Sequence, residues 1–503
     1  MNNKLVKSSF LLITITILSK LLGLVREMVM ANYLGTSAIS DAYVLGTILS
    51  QIIITGLAGA FFKTYIPIAT AERYKSHKKY VDYTAQLLYV GTGIFAVISC
   101  IFYATAQYTT YWLSSGASRD VINLAIGVCK ATAFPSMFLL AVNVFQGYLH
   151  TQEKFLSNII YPIVMNLTII AGLIIGGGDI NWLSSSYGCS IIFSAIALWA
   201  YSKKSGFSSI SLNGSLSNFA VIKTFRLTIP LFIGGLVSEI NEIIDRCFSA
   251  FYAEGVLTAL RYGKLLEIFI VSAIGIAIGQ AVYPKIAQLK YENKIAELEQ
   301  LLSMIIIFFC FVCIPIFVGI AVIGKDLVSL IFLRGAFDYK SVEYTSVAFI
   351  IYSISILPVS FNEILSRVFF AYDDTKHPVL YSTVAMGTNI ALNAVVVFGT
   401  KMDFYGLAMT TSICETMMAI FYIVGVRKRL KLRFSVSLNV VLSEIVCALI
   451  MGVGIYMIES VLPENVFLRI PVLTIIGLII YIGGMYICNH AIINDLVHYL
   501  RRK

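Results

Sequence analysis

The sequence predicts an all-α polytopic membrane protein, and three observations carry that reading. Of the 503 residues, 58% are apolar or aromatic and only 13% are charged, where a soluble domain carries about 25% charged residues. The apolar residues gather into repeated runs of roughly 18 to 30, the length that crosses a hydrocarbon core of about 30 Å at 1.5 Å per residue. The runs are continuous rather than alternating and far exceed the ten or so residues of a barrel strand, so helices are predicted throughout.

In order along the chain, the runs place about fourteen transmembrane helices at 9–34, 40–70, 82–107, 120–148, 156–177, 182–202, 224–252, 256–286, 298–323, 341–370, 378–399, 404–426, 436–459 and 466–494. Lys4 and Lys7 precede the first run, but Lys20 and Arg26 interrupt it and no small-residue cleavage pattern follows. It is an uncleaved first helix rather than a signal peptide. Gly23, Gly56, Gly59, Gly234, Gly235, Gly275 and Gly279 lie inside spans, where glycine permits close helix approach and bending. Pro135, Pro230, Pro315 and Pro358 mark expected kinks in the fourth, seventh, ninth and tenth spans.

Lys and Arg between the spans set the orientation. The segments on the side of the N-terminus hold most of the 37 basic residues: Lys4 and Lys7, Arg73 to Lys79, Lys154, Lys203 to Arg226, Lys285 to Lys294, Lys376, Arg427 to Arg433, and Arg501 to Lys503. The opposite segments hold only Arg119, Lys325, Arg334, Lys340 and Lys401. Both termini are therefore expected in the cytoplasm. The net charge of +10 is spread over short loops, which argues against nucleic acid as a partner and for topology plus attraction to anionic headgroups.

Four divisions follow: an N-terminal six-helix lobe at 1–203, a Ser- and Gly-rich cytoplasmic linker at 204–223, a C-terminal six-helix lobe at 224–430, and two additional helices with a basic tail at 431–503. Phe145-Gln-Gly-Tyr148, closing the fourth span, resembles Phe369-Phe-Ala-Tyr372, closing the tenth, at an offset of 224 residues. Tyr65-Ile-Pro67-Ile-Ala69 resembles Tyr283-Pro284-Lys-Ile-Ala287 at a similar offset. Matches six spans apart face the same side, so the lobes are expected to be parallel repeats, with substrate bound between them.

Ionisable residues at membrane depth are functional by default. Spans 1, 7 and 8 hold Lys20, Arg26, Arg246, Arg261 and Lys264, interspersed with Glu27, Glu239, Glu242, Asp245 and Glu267. Glu239, Glu242 and Arg246 fall on one helical face, so Glu242 and Arg246 are spaced to pair. Lys20 and Glu27 share a face, from which Arg26 is turned by about 120°. An excess of unpaired cations calls for an anionic ligand, and pyrophosphate is one such anion. Isolated Glu415 and Glu444 read instead as buried ion pairs that fix helix packing.

Catalytic chemistry is not indicated. Gly319 to Lys325 nearly matches a phosphate loop, but Asp326 stands where Ser or Thr is required. No loop is long enough for a catalytic domain, as a membrane-embedded glycosyl- or acyltransferase would need. The five histidines lack metal-ligand spacing. Nine cysteines, an odd number nearly all within spans, form no disulfide framework, and Cys310 and Cys313 read as small packing residues.

Ser19-Lys20-Leu-Leu-Gly23-Leu-Val-Arg26-Glu27, followed by Asn32-Tyr-Leu-Gly35-Thr-Ser37 and Ser40-Asp41-Ala42-Tyr43, resembles the opening signature of the MurJ (MviN) lipid II flippases of the MOP transporter superfamily. Gly59-Ala60-Phe61, Tyr65-Ile66-Pro67, Arg261-Tyr262-Gly263-Lys264 and Gly275 to Ile278 extend the resemblance. It implies a MATE-like fold and a non-enzymatic flippase of the bacterial cytoplasmic membrane. The implied substrate is an undecaprenyl-pyrophosphate-linked glycolipid, the peptidoglycan precursor lipid II first among them, moved to the outer leaflet by alternating access. Lys20, Arg26, Asp41, Arg261 and Lys264 would bind it, with Glu239, Glu242, Asp245, Arg246 and Glu267 in ion coupling or gating. Lys20 and Lys264 stand where the family usually has Arg, a point charge in place of a bidentate fork. Other lipid-linked saccharides, of capsule, O-antigen or teichoic type, therefore stay open, as does a MATE-type antiporter, whose cavity should be acidic. No cofactor is expected; membrane potential or a Na⁺ or H⁺ gradient would supply the energy. Cell-wall synthesis proteins are expected partners of a monomer.

Overall fold

The computed structural model describes residues 3–114, 116–207, 219–434, 436–463 and 465–488, and of 3–18, 49, 237 and 238 the backbone only. Most of the 204–223 linker and the basic tail at Arg501, Arg502 and Lys503 lie outside the described residues.

The described chain is helical, with no strand among its elements. In order it forms α1 (Asn3–Leu34), α2 (Ala38–Lys75), α3 (His77–Leu113), α4 (Arg119–His150), α5 (Ser157–Gly176), α6 (Ile180–Lys204) and α7 (Phe219–Ser249). There follow α8 (Val256–Tyr291), α9 (Ile295–Phe332), α10 (Tyr339–Ser353 with Ile356–Ala371), α11 (Lys376–Gly399), α12 (Tyr405–Lys428), α13 (Leu438–Glu459) and α14 (Val466–Cys488). Among the described residues twelve helices are long and apolar enough to cross a membrane, and thirteen when the halves of α10 count as one span. The expected first span falls on α1, which at 32 residues is also of spanning length.

Local chemistry sets many helix ends. Ser76 accepts the Lys79 N–H at 3.1 Å to cap α3, Asp179 accepts the Asn181 N–H at 2.6 Å to cap α6, and Gly177 ends α5 in the left-handed region at φ +58°. Of the expected kinks, Pro135 opens a 3-10 turn at Pro135–Phe138 that divides α4. The halves of α10 meet at 45°, and the break spans Ile354, whose carbonyl lies four residues before Pro358 and meets its ring. Pro230 and Pro315 instead lie inside uninterrupted helices. Three π-helical stretches had no signal in the sequence: Leu49–Ile54 in α2, Ser272–Ile276 in α8 and Val395–Gly399 in α11. Pro135 precedes Pro358 by 223 residues, and Leu49 precedes Ser272 by the same 223. Irregularities of backbone thus recur at nearly the spacing of the Phe145 and Phe369 match.

Two compact units divide the chain: Met1–Thr258 with Arg334–Phe337, and Ala259–Leu333 with Asp338–Lys503. The first unit has a tyrosine-rich core. Tyr65 stacks on Tyr83 and Tyr80 on Tyr148, and three of the four hydroxyls find partners, as buried phenols usually do: Tyr65 with Thr84 and Tyr83 with Thr224, both at 2.7 Å, and Tyr80 donating to the Tyr148 carbonyl at 2.7 Å, while the Tyr148 hydroxyl meets no partner among the described residues. The Tyr83–Thr224 bond and a 2.8 Å bond between Thr64 and Thr228 tie α7 to α3 and α2 within this unit. Compactness therefore continues past 203–224, where the sequence predicts the division of the lobes. The two criteria answer different questions, one about contacts and one about topology.

The 334–337 loop also belongs to the first unit. Ala336 donates its N–H to the Asn32 carbonyl at 2.8 Å. Gly35 and Gly335 both take positive φ, at +58° and +54°, and a Cβ on Gly335 would strike Asn32 O while one on Gly35 would strike Ala336 O. Only glycine fits both positions. In the second unit, Gly263 and Gly275 bring α8 close to α10, where a Cβ would lie 2.9 Å from Ala348 Cβ and 3.0 Å from Ser360 Oγ. A separate apolar cluster joins α9, α13 and α14 through Ile323, Cys447, Met451, Ile455, Leu473 and Tyr481.

Candidate functional site

In the first unit, α1 carries three of the expected residues to different environments. Lys20 is exposed, Arg26 is half-buried and Glu27 is buried. The Arg26 guanidinium forms an ion pair with Glu27, its chain neighbour. Helix α1 packs along α5, where Gly23 faces Asn166, a buried residue whose Oδ1 accepts no hydrogen bond among the described residues. Tyr161 of α5 and Tyr187 of α6 lie within electrostatic reach of Arg26. Asn166 had a sequence signal, a lone amide within an apolar run. The two tyrosines had none, because packing alone brings them to Arg26.

Helix α7 brings Glu239, Glu242, Asp245 and Arg246 to the same unit. Arg246 pairs with Glu242 one turn earlier and reaches the Val44 carbonyl of α2 at 3.4 Å. Asn241 donates to Asp245 at 3.5 Å. Both carboxylate oxygens of Asp41 on α2 are engaged by the polypeptide, Oδ2 by the Gly255 N–H at 2.6 Å and Oδ1 by the Thr258 N–H and hydroxyl at 2.9 and 2.6 Å. These donors belong to the turn that opens α8, so Asp41 supplies that helix with its N-terminal cap. The sequence could not reveal this, since the partners are more than 200 positions away.

The second unit holds Arg261, Lys264 and Glu267 on α8, with acidic partners from α10 and α12. Lys264 Nζ lies 2.9 Å from Glu267 Oε2 and 5.2 Å from the Tyr352 ring centre. Glu267 is buried and accepts from the Ser355 hydroxyl at 3.0 Å. Glu415 takes a 3.0 Å hydrogen bond from Asn362 and lies within electrostatic reach of Lys264, Glu267 and Glu363. It is part of a network rather than a partner in an isolated ion pair. Arg367 pairs with Glu363 at 2.6 Å. Arg261 lies 5.6 Å from the Tyr262 ring centre. Within this unit the cations Arg261, Lys264 and Arg367 are thus matched in number by Glu267, Glu363 and Glu415, two of which come from spans 10 and 12.

No group of three His, Cys, Asp or Glu residues able to hold a metal ion occurs among the described residues.

Long apolar helices in this order, with charge pairs held inside them, define a polytopic α-helical membrane transporter of the MATE-like fold. A solved MATE family multidrug transporter in an inward-facing conformation superposes with a TM-score of 0.69 at 14% identity, covering 81% of this chain and 94% of that one. A solved structure described as lipid II flippase MurJ in an inward closed conformation superposes with a TM-score of 0.81 at 22% identity, covering 97% of this chain and 100% of the other. The family model for lipid II flippase MurJ matches residues 30–477. The chain belongs to the lipid II flippase MurJ family, a family of transporters rather than enzymes, and is a multi-pass protein of the bacterial inner membrane. Among its relatives are the probable lipid II flippases MurJ of Vibrio cholerae, 26% identical with 84% of this chain and 83% of the relative covered, and of Haemophilus influenzae, 22% identical with 88% and 90% covered.

Proposed function

We propose that this protein translocates lipid II, an undecaprenyl-pyrophosphate-linked saccharide, from the inner to the outer leaflet by alternating access. The observation that carries this reading is the family match over 30–477 in a chain that keeps Arg261 and Lys264 within a helix long and apolar enough to cross a membrane and Arg26 within α1. Each of Arg26 and Lys264 sits beside a carboxylate, which a pyrophosphate can replace as counter-ion. Lys20, exposed on α1, is a further contact for the anionic headgroup. Asp41 holds the start of α8, and Glu239, Glu242, Asp245, Arg246 and Glu267 supply the ion pairs that exchange during the cycle.

The recurrence of backbone irregularities at 223 residues supports two parallel six-helix lobes, and the Lys and Arg asymmetry supports cytoplasmic termini. Lysine at positions 20 and 264, where the family usually has Arg, favours as a second reading a related lipid-linked saccharide of capsule or teichoic type. The test is a leaflet-accessibility assay: labelled lipid II in vesicles, with and without the purified protein. Protein-dependent exposure of label across the bilayer is expected; equal exposure in both samples, together with exposure of a different lipid-linked saccharide, shifts the assignment to the second reading.

A further inference from the structure

Glu444 lies two turns into α13 and is fully buried, at 0% exposure, with neither carboxylate oxygen hydrogen-bonded among the described residues. It is not the packing ion pair that its sequence position suggested. Helix α13 packs against α9 and α14, and the groups those helices turn toward Glu444 are uncharged or thiol: Cys310 of α9 and Tyr481 of α14 lie within electrostatic reach. The Tyr481 hydroxyl is directed elsewhere, donating to the Phe311 carbonyl at 2.9 Å. On α13 itself, Cys447 lies one turn further, its sulfur 4.0 Å from that of Cys488.

The charged residues of the three helices are remote. Arg469 is bound to Asp326 and Glu459, both at 2.6 Å, and Glu459 is fifteen residues beyond Glu444, about 22 Å along the helix. On α9, Lys325 is fifteen residues after Cys310, about 22 Å, and Glu297 and Glu299 precede Cys310 by about 16 Å or more. Among the described residues an ionised carboxylate here would face neither a cation nor a hydrogen-bond donor, an arrangement that membrane interiors do not sustain. A hard cation would need several oxygen ligands, whereas the groups of α9 and α14 within electrostatic reach of this carboxyl are the Cys310 thiol and the already committed Tyr481 phenol.

We propose that Glu444 is a proton-binding site, filled while α13 is packed between α9 and α14 and emptied when these helices part. The proton is then linked to the packing. The packed form holds it, and the parted form exposes an ordinary glutamate that ionises above about pH 4.3. Packing is therefore strongest at low pH, and the parted fraction grows about tenfold per pH unit above that value, until the packed form itself gives up its proton. Glu444→Gln, which mimics the protonated form, abolishes this dependence.

The experiment uses the full chain in lipid vesicles, wild type and Glu444→Gln, with two readouts. Peptide-resolved alkylation of buried Cys310 by N-ethylmaleimide reports parting, taken at each pH as the ratio of wild type to variant so that thiol ionisation cancels. Infrared spectroscopy reports a protonated carboxyl present in wild type and missing from the variant. The expected result is that band at neutral pH and an alkylation ratio rising several-fold or more per pH unit. A flat ratio with no missing band overturns the proposal. Protection of Cys310 by added Na⁺ at constant pH overturns it in favour of a metal cation.

Discussion

Asp41 and Thr258, 217 positions apart, are joined by two hydrogen bonds: Asp41 Oδ1 accepts the Thr258 backbone N–H at 2.9 Å and its hydroxyl at 2.6 Å. With the Gly255 N–H on Oδ2, the first turn of α8 is held by a buried side chain of α2.

Replacing Asp41 by Asn keeps the shape but removes the charge and one acceptor, so stability should fall by about 1–3 kcal/mol. Thermal unfolding of the purified chain in detergent measures this. Thr258→Val, which loses only the hydroxyl donor, should fall less, by about 1 kcal/mol. Should Asp41 serve the substrate and not the cap, Asp41→Asn would leave the melting temperature unchanged while lowering lipid II binding.

Arg26→Ala separates packing from function only when Glu27 is changed as well. The single variant removes the guanidinium paired with a buried carboxylate and should destabilise by a few kcal/mol, about 3–5 at most. Adding Glu27→Gln should restore most of the melting temperature while translocation of labelled lipid II stays lost. A double variant that flips lipid normally removes Arg26 from the substrate site.

Gly335→Ala should be among the costlier single substitutions in the loops. Its φ of +54° and the closeness of Asn32 O together predict a loss of about 1–3 kcal/mol, read as a lower melting temperature. Gly387, where a Cβ meets nothing within 4 Å, serves as control: inside a helix, Ala there should be neutral or slightly stabilising.

Asp338 caps the first half of α10, accepting the Ser341 N–H at 2.8 Å and its hydroxyl at 2.7 Å. The Ser341 backbone bond, then its hydroxyl, hold the Asp338 carboxyl below its usual range. A depressed carboxylate contributes stability above the unfolded value of about 3.9, and that contribution is lost as pH falls through the folded value. Melting curves of wild type should therefore drop more steeply than those of Asp338→Asn on acidification below about pH 4. At neutral pH, Asp338→Ala should cost about 0.5–1 kcal/mol at this exposed position.

How far the sequence reaches can be seen residue by residue. The run at 156–177 and the helix Ser157–Gly176 nearly coincide, because an apolar stretch of that length has one low-energy arrangement in a bilayer. The pairing of Glu242 with Arg246 was legible for a similar reason, since spacing along one helix determines which side chains meet. The break at Ile354 was legible through Pro358, but the π-helical Leu49–Ile54 was not, because no residue type is required there.

By itself, then, the sequence determined the order of the spanning helices, the membrane environment and the presence of buried charge, the first two being consequences of the high cost of exposing a polar backbone to hydrocarbon. Only the tertiary structure decided the partners of those charges across helices: Glu267 with Ser355, Glu415 with Asn362, Asp41 with the start of α8, and Glu444 with no hydrogen-bond donor among the described residues. Partnership across helices depends on rotation and depth of each helix, which packing sets and local sequence does not.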